Sequence, residues 1–135
     1  MNILLDSSFL IAYYNPLDEH RKKAIKIMDD LIIGKYGNPY VSDYIFDEVV
    51  TVIFIRTKDL KLSNNVGDVL RDSLGLFDVD EEVFDNAWKI FKNQKNTNFS
   101  FTDCTILAVM QERGISHIAT FDEDFLSVKT IKVVS

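Results

Sequence analysis

Asn2-Ile3-Leu4-Leu5-Asp6-Ser7-Ser8 opens the chain as an apolar run that stops abruptly at a carboxylate, and Ser116-His117-Ile118-Ala119-Thr120-Phe121-Asp122 repeats that design near the other end. An apolar run this short, bounded by polar residues, reads as a strand buried on both faces. Each strand delivers an acid just beyond its carboxyl end. Between the two, the hydrophobic period changes to that of helices. Ser7 and Ser8 lead into a helical stretch through Tyr14, which Asn15-Pro16 breaks. From Asp18 to about Lys35, Ala24, Ile27, Met28, Leu31 and Ile32 share one face of an amphipathic helix closed by Gly34.

Pro39 to Ser42 predicts a second strand, and Asp43 to Thr57 a helix apolar over most of its circumference and so expected to be largely buried. Ser63 is the expected cap of the next helix, which turns Val66, Val69, Leu70 and Leu74 inward. Gly75 to Val79 predicts a strand. Asp80-Glu81-Glu82 then places acid in the first turn of a helix with Val83, Ala87, Ile90 and Phe91 on one side. Gln94 to Asn98 reads as a loop, Ser100 to Arg113 as the last long helix, stopped by Gly114, and Thr130 to Val134 as a final strand. Strands alternating with helices predict a single α/β domain over residues 1–135, with a mainly parallel central sheet of about four or five strands flanked by helices, because parallel neighbours need a crossover connection. Ligands of such sheets bind beyond the carboxyl ends of the strands.

The composition is that of a globular chain: 135 residues, 47% hydrophobic and 27% charged, with five glycines and two prolines. No apolar run approaches the ~18 residues of a membrane span, and Met1 to Asp6 has no basic flank or cleavage site of a signal peptide, so the expected location is cytoplasmic. Cys104 is alone, which excludes an intrachain disulfide and any cysteine-based zinc pattern; His20 and His117 add no imidazole cluster. The net charge of −6 opposes indiscriminate coating of nucleic acid. Acids gathered around cations would cease to repel phosphate, however, and Arg21-Lys22-Lys23 and Arg56-Lys58-Lys61 supply local positive charge, with Arg56 and Lys58 the better candidates for touching RNA.

Four acids stand out: Asp6 and Asp122 after strands, Asp103 in the first turn of a helix, and Glu48. On a helical wheel Glu48 falls between Val52 and Ile55, beside Ile45, while Asp43, Asp47 and Thr51 form a separate polar strip. No Lys or Arg lies within one turn to neutralise it. Clustered carboxylates without Cys or His suit hard cations, Mg²⁺ or Mn²⁺, which take oxygen ligands and retain water. Each acid also has an ordinary role. Asp6 caps the helix after it, Asp103 forms a capping box with Ser100, and Asp122-Glu123-Asp124 makes a solvated turn. Ser7, Ser8, Thr102 and Thr120 read as caps or turn hydroxyls. The functional reading rests on all four acids appearing in one ordered set.

Leu4-Leu5-Asp6-Ser7-Ser8, Ser42 through Glu48, Phe101-Thr102-Asp103 leading into Ile106-Leu107-Ala108, and Thr120-Phe121-Asp122-Glu123-Asp124-Phe125 together resemble the PIN domain, and within it the VapC-type toxins of prokaryotic toxin-antitoxin pairs. The resemblance covers nearly the whole chain in order. It implies that Asp6, Glu48, Asp103 and Asp122 hold Mg²⁺ or Mn²⁺, that Ser8 and Thr120 support them, and that Asp124 assists, or replaces Asp122, as the fourth acid. It also implies endonucleolytic hydrolysis of RNA leaving 5′-phosphate, a homodimer, and an antitoxin protein that inserts a segment into the acidic groove. A housekeeping RNA-processing nuclease of the same family is an alternative. So is a receiver-like phospho-acceptor module, although Glu48 within a helix and Lys132 in the last strand suit that less well.

Overall fold

The structure is a computed structural model that describes residues 1–135. Five strands, β1 (Asn2–Leu5), β2 (Asn38–Ser42), β3 (Gly75–Phe77), β4 (His117–Ala119) and β5 (Lys132–Val134), form one sheet in the order β3-β2-β1-β4-β5. Every pairing is parallel. Six helices supply the crossovers: α1 (Ser7–Tyr14), α2 (Arg21–Ile32), α3 (Asp43–Thr57), α4 (Leu60–Ser73), α5 (Glu81–Lys92) and α6 (Phe101–Arg113). The α/β class and the parallel sheet agree with the sequence reading.

The strands are apolar because the central ones are covered on both faces. Ile3, Leu4, Leu5, Val41, Ile118 and Ala119 are buried with Phe9 and Leu10 of α1, Ile45, Val49 and Ile53 of α3, and Ile106, Val109 and Met110 of α6. The chain starts at the centre of the sheet and travels outward through β2 and β3. It then returns to the other side of β1 with β4 and β5. Connections therefore depart in opposite directions from β1 and β4, which opens a crevice at their carboxyl ends. Asp6 follows β1, and Thr120 follows β4, directly at that crevice.

One turn depends on glycine. Gly37, at φ +79°, leads into β2, and a Cβ there would sit 1.6 Å from the carbonyl oxygen of Met1. That oxygen accepts the Asn38 N–H at 3.1 Å, starting the β1–β2 ladder.

Several local expectations are corrected. Helix α4 starts earlier than expected, capped by Asp59, whose side chain accepts from the Leu62 N–H. Ser63 lies inside it, buried, and donates to the Val50 carbonyl of α3. Val69 faces out at 44% exposure, whereas Val66 and Leu70 are buried. Helix α3 buries one stripe only; Phe54 and Ile55 are exposed, because α4 covers just part of its far side. Phe91 of α5 is likewise partly exposed. The long second helix is trimmed to Arg21–Ile32, because residues 15–20 form a turn. The third and last strands shorten to Gly75–Phe77 and Lys132–Val134.

Candidate active site

Asp6 has β/extended backbone and caps α1, its Oδ1 accepting the Ser7 N–H at 2.8 Å. The capping role is thus real. It occupies only one oxygen, and Oδ2 is engaged separately, accepting from Thr120 Oγ1 at 2.6 Å and Ser8 Oγ at 2.9 Å. Ser8 Oγ and Thr120 Oγ1 are 3.0 Å apart. The Phe121 N–H donates to Ser8 Oγ and the Asp122 N–H to Thr120 Oγ1, both at 3.0 Å. The ends of β1 and β4 are therefore tied through two hydroxyls around one buried carboxylate.

Glu48 reaches this centre from α3. Its Oε1 accepts from Ser7 Oγ at 2.7 Å, and the same hydroxyl lies 3.4 Å from Asp6 Oδ1. Ser7 thus bridges two of the four acids, a role its reading as a turn hydroxyl missed. The only sequence signal was its place directly after a strand-ending acid. Asp103 arrives on the first turn of α6 and forms the capping box with Ser100. Asp122 Oδ1 accepts the Asp124 N–H at 2.9 Å, capping the short 3₁₀ turn Glu123–Ser127.

The electrostatics of the acids follow from this placement. Burial pushes the Asp6 carboxyl upward, opposed by the hydrogen bonds from Thr120, Ser8 and Ser7 and reinforced by the charge of Glu48. Asp103 is raised to about 6, first by burial, with further repulsion from Asp6 and Asp122. Neither ion pair of the molecule, His20–Glu19 or Lys35–Asp30, involves these acids. Buried like charges without a cationic partner are costly, and a divalent ion would reverse the sign of that interaction. The donors are all oxygen, as hard cations require. No three of them are already gathered at metal-ligand spacing, so the acids border the crevice instead of closing a cage.

A cavity of about 280 Å³ lies over the centre, lined by Ser7, Ser8, Ile11, Asp18, His20, Glu48, Arg56, Phe121 and Asp122. Arg56 lines its wall. Lys58 does not line it and instead ends α3 in a left-handed conformation. Asp124 is outside this cavity as well, joined to the centre through Asp122. His20 was not singled out by sequence; it arrives through the turn before α2. No helix is long and apolar enough to cross a membrane.

Known proteins share this arrangement of elements. The chain is similar to a VapC ribonuclease of Archaeoglobus fulgidus, 29% identical over 133 residues, which covers 97% of this chain and 83% of the relative. Its fold matches Mycobacterium tuberculosis VapC20, described as a sarcin-ricin loop cleaving toxin, with a TM-score of 0.85 at 22% identity, over 94% of this chain and 95% of that one. It also matches a chain of Rickettsia felis VapBC2 bound to a promoter DNA fragment, with a TM-score of 0.74 at 12% identity, over 99% and 98% of the two chains. The PIN domain model spans residues 3–131, from the first strand to the edge of the last, and on that match the chain belongs to the PIN-domain family.

Proposed function

We propose that the protein is a divalent-metal-dependent endoribonuclease that hydrolyses RNA phosphodiesters and is the toxin of a VapBC-type pair. The observation that carries this is the Asp6 centre: a buried carboxylate without a cationic partner, held by Ser8 and Thr120 at the crevice where Glu48, Asp103 and Asp122 also arrive. Family membership and the similarity to a VapC ribonuclease support the same chemistry.

In this reading Asp6, Glu48, Asp103 and Asp122 hold Mg²⁺ or Mn²⁺. When bound, such an ion activates water and neutralises charge on the attacked phosphate and the leaving oxygen. The chain's own residues position these groups. Ser8 and Thr120 orient the Asp6 carboxylate, and Ser7 couples it to Glu48. Asp124 donates its N–H to Asp122 and so fixes the fourth acid. Arg56, on the cavity wall, offers a planar fork to the RNA backbone. Lys58, two residues further along at the end of α3, adds positive charge outside the cavity.

An acidic groove of this kind fits an antitoxin segment that carries positive charge, and the antitoxin and RNA would then exclude each other. A homodimer belongs to the same reading. Phe84, Trp88 and Phe91 form an exposed aromatic strip along α5, continuous with Phe101 of α6, which suits a second copy. The housekeeping RNA-processing alternative shares the chemistry and differs in lacking an antitoxin. A receiver-like module would want a lysine at the carboxyl end of a late strand, whereas Lys132 stands at the start of β5.

The test is cleavage of total cellular RNA by purified protein in Mg²⁺ or Mn²⁺, against EDTA, with Asp6→Asn and Glu48→Gln as controls. Metal-dependent endonucleolytic products with 5′-phosphate, absent in both variants, are expected. Equal cleavage by wild type and variants would overturn the assignment.

A further inference from the structure

His20 occupies the N-cap position of α2, where Ser, Thr, Asp or Asn ordinarily supplies an oxygen to the free N–H groups of the first turn. Its side chain makes no capping bond. The imidazole instead lies flat on the Phe121 ring, with centroids 4.6 Å and planes 11° apart. The backbone carrying each ring is anchored. The Phe121 N–H donates to Ser8 Oγ, itself bonded to Asp6. The turn carrying His20 is closed by its own N–H donating to Asp18 Oδ1 at 2.9 Å, and Arg21 Nη1 donates to the Tyr13 carbonyl at 2.7 Å.

With one face on Phe121, the imidazole is still 41% exposed, and its only ion pair is with the solvated Glu19. The ring pair stands between two cavities. One is the acid-lined cavity with Glu48 and Arg56; the other, about 120 Å³, is lined by Lys23 and Glu123 among others. Asp122, His20 and Phe121 line both. A partly exposed, stacked aromatic pair thus borders the proposed cleavage centre, with Arg56 lining the same cavity. Stacking suits any nucleobase, since every base presents a π-face, while the guanidinium serves phosphate.

Resting on the ribonuclease reading, we propose that His20, backed by Phe121, stacks a base of the RNA strand next to the cleaved phosphodiester and so positions the substrate. Arg56 then contacts backbone, and His20 contacts base.

The two contacts separate experimentally with a short fluorescein-labelled single-stranded RNA of mixed sequence and a matched abasic strand that keeps only the sugar-phosphate chain. Binding is followed by anisotropy in Mg²⁺ in an Asp103→Asn background, which prevents cleavage. His20→Ala is expected to weaken binding of the RNA by about 5-fold or more, the lower range for one base–aromatic stack, and to leave the abasic strand unaffected. His20→Phe should restore the affinity, which distinguishes a lost ring from a damaged fold. Arg56→Ala should weaken both strands alike. In the cleaving enzyme the same ordering is expected in KM, with kcat little changed. Unchanged RNA affinity and KM in His20→Ala, or an equal loss on both strands, would overturn the proposal. If wild type still cleaves RNA in that case, only the role of His20 falls; if wild type neither binds nor cleaves RNA, the ribonuclease reading falls with it.

Discussion

Replacing Asp103 by Asn should stabilise the metal-free protein while abolishing its cleavage of RNA. The Asp103 carboxyl is raised from 3.8 to about 6, chiefly by burial, with Asp6 and Asp122 adding repulsion. For a group wholly shielded from water that shift corresponds to roughly 3 kcal/mol; water reaches the half-buried Asp103, and screening reduces the figure to about 1 to 1.5 kcal/mol. The sign follows from the proton. Because the folded-state value lies above the unfolded one, the folded protein binds the proton more tightly. That contribution is complete below pH 3.8 and is lost as pH rises through about 6. Near neutral pH the wild type therefore carries an ionised acid at a cost that Asn does not incur. The amide oxygen of Asn can still accept the Ser100 N–H, now bonded to Asp103 Oδ2 at 2.9 Å, so the capping box survives.

The assay is urea denaturation of both proteins in EDTA. Asp103→Asn should be more stable by about 1 kcal/mol at about pH 7.5, the gap narrowing to about half near pH 5 as the wild-type carboxyl takes up its proton. Comparing the two proteins removes the background of the titrating groups that do not interact with Asp103. A variant no more stable than wild type at the higher pH, or a gap that does not change with pH, would refute the electrostatic picture of the site.

Three further outcomes follow from the same geometry. Thr120→Val removes the hydroxyl that donates to Asp6 and accepts from the Asp122 N–H; it should cost about 2 kcal/mol in urea denaturation, and a wild-type midpoint would contradict the hydrogen-bonded centre. Ser7→Ala leaves the four acids in place but severs Glu48 from Asp6, so calorimetric titration with Mn²⁺ should show affinity weakened about 10-fold with the fold intact. Gly37→Ala puts a Cβ against the Met1 carbonyl at φ +79°, and a thermal melt should report a loss of about 2 kcal/mol or more, since the start of the β1–β2 ladder must move.

The fold class was legible because its signals are local. An apolar run such as Ile3-Leu4-Leu5 is buried wherever it lies in a parallel sheet, and Ser100 with Asp103 caps its helix without reference to distant residues. Errors arose where distant packing decided the outcome. Ser63 has the chemistry of a cap, yet its hydroxyl is taken by the Val50 carbonyl across the α3–α4 contact, and Asp59 caps instead. Phe54 and Ile55 are as apolar as Ile53, and only the placement of α4 leaves them exposed.

The candidate site divides in the same way. Its acids could be picked out as a set because strand ends and a buried helical stripe mark positions where a carboxylate is conspicuous. The sheet order 3-2-1-4-5 then decided which of them meet, by setting β4 beside β1 so that Thr120 closes on Asp6. Ser7 as a bridge to Glu48 and Arg56 on the cavity wall came from the packing of α1 against α3, and His20 on Phe121 from the meeting of the turn before α2 with the end of β4. Hydrophobic period and capping act over a few residues and are written into the chain as it stands. Hydrogen bonds such as Ser7 to Glu48, and the raised proton affinity of Asp103, exist only once residues far apart in sequence share a region poor in water.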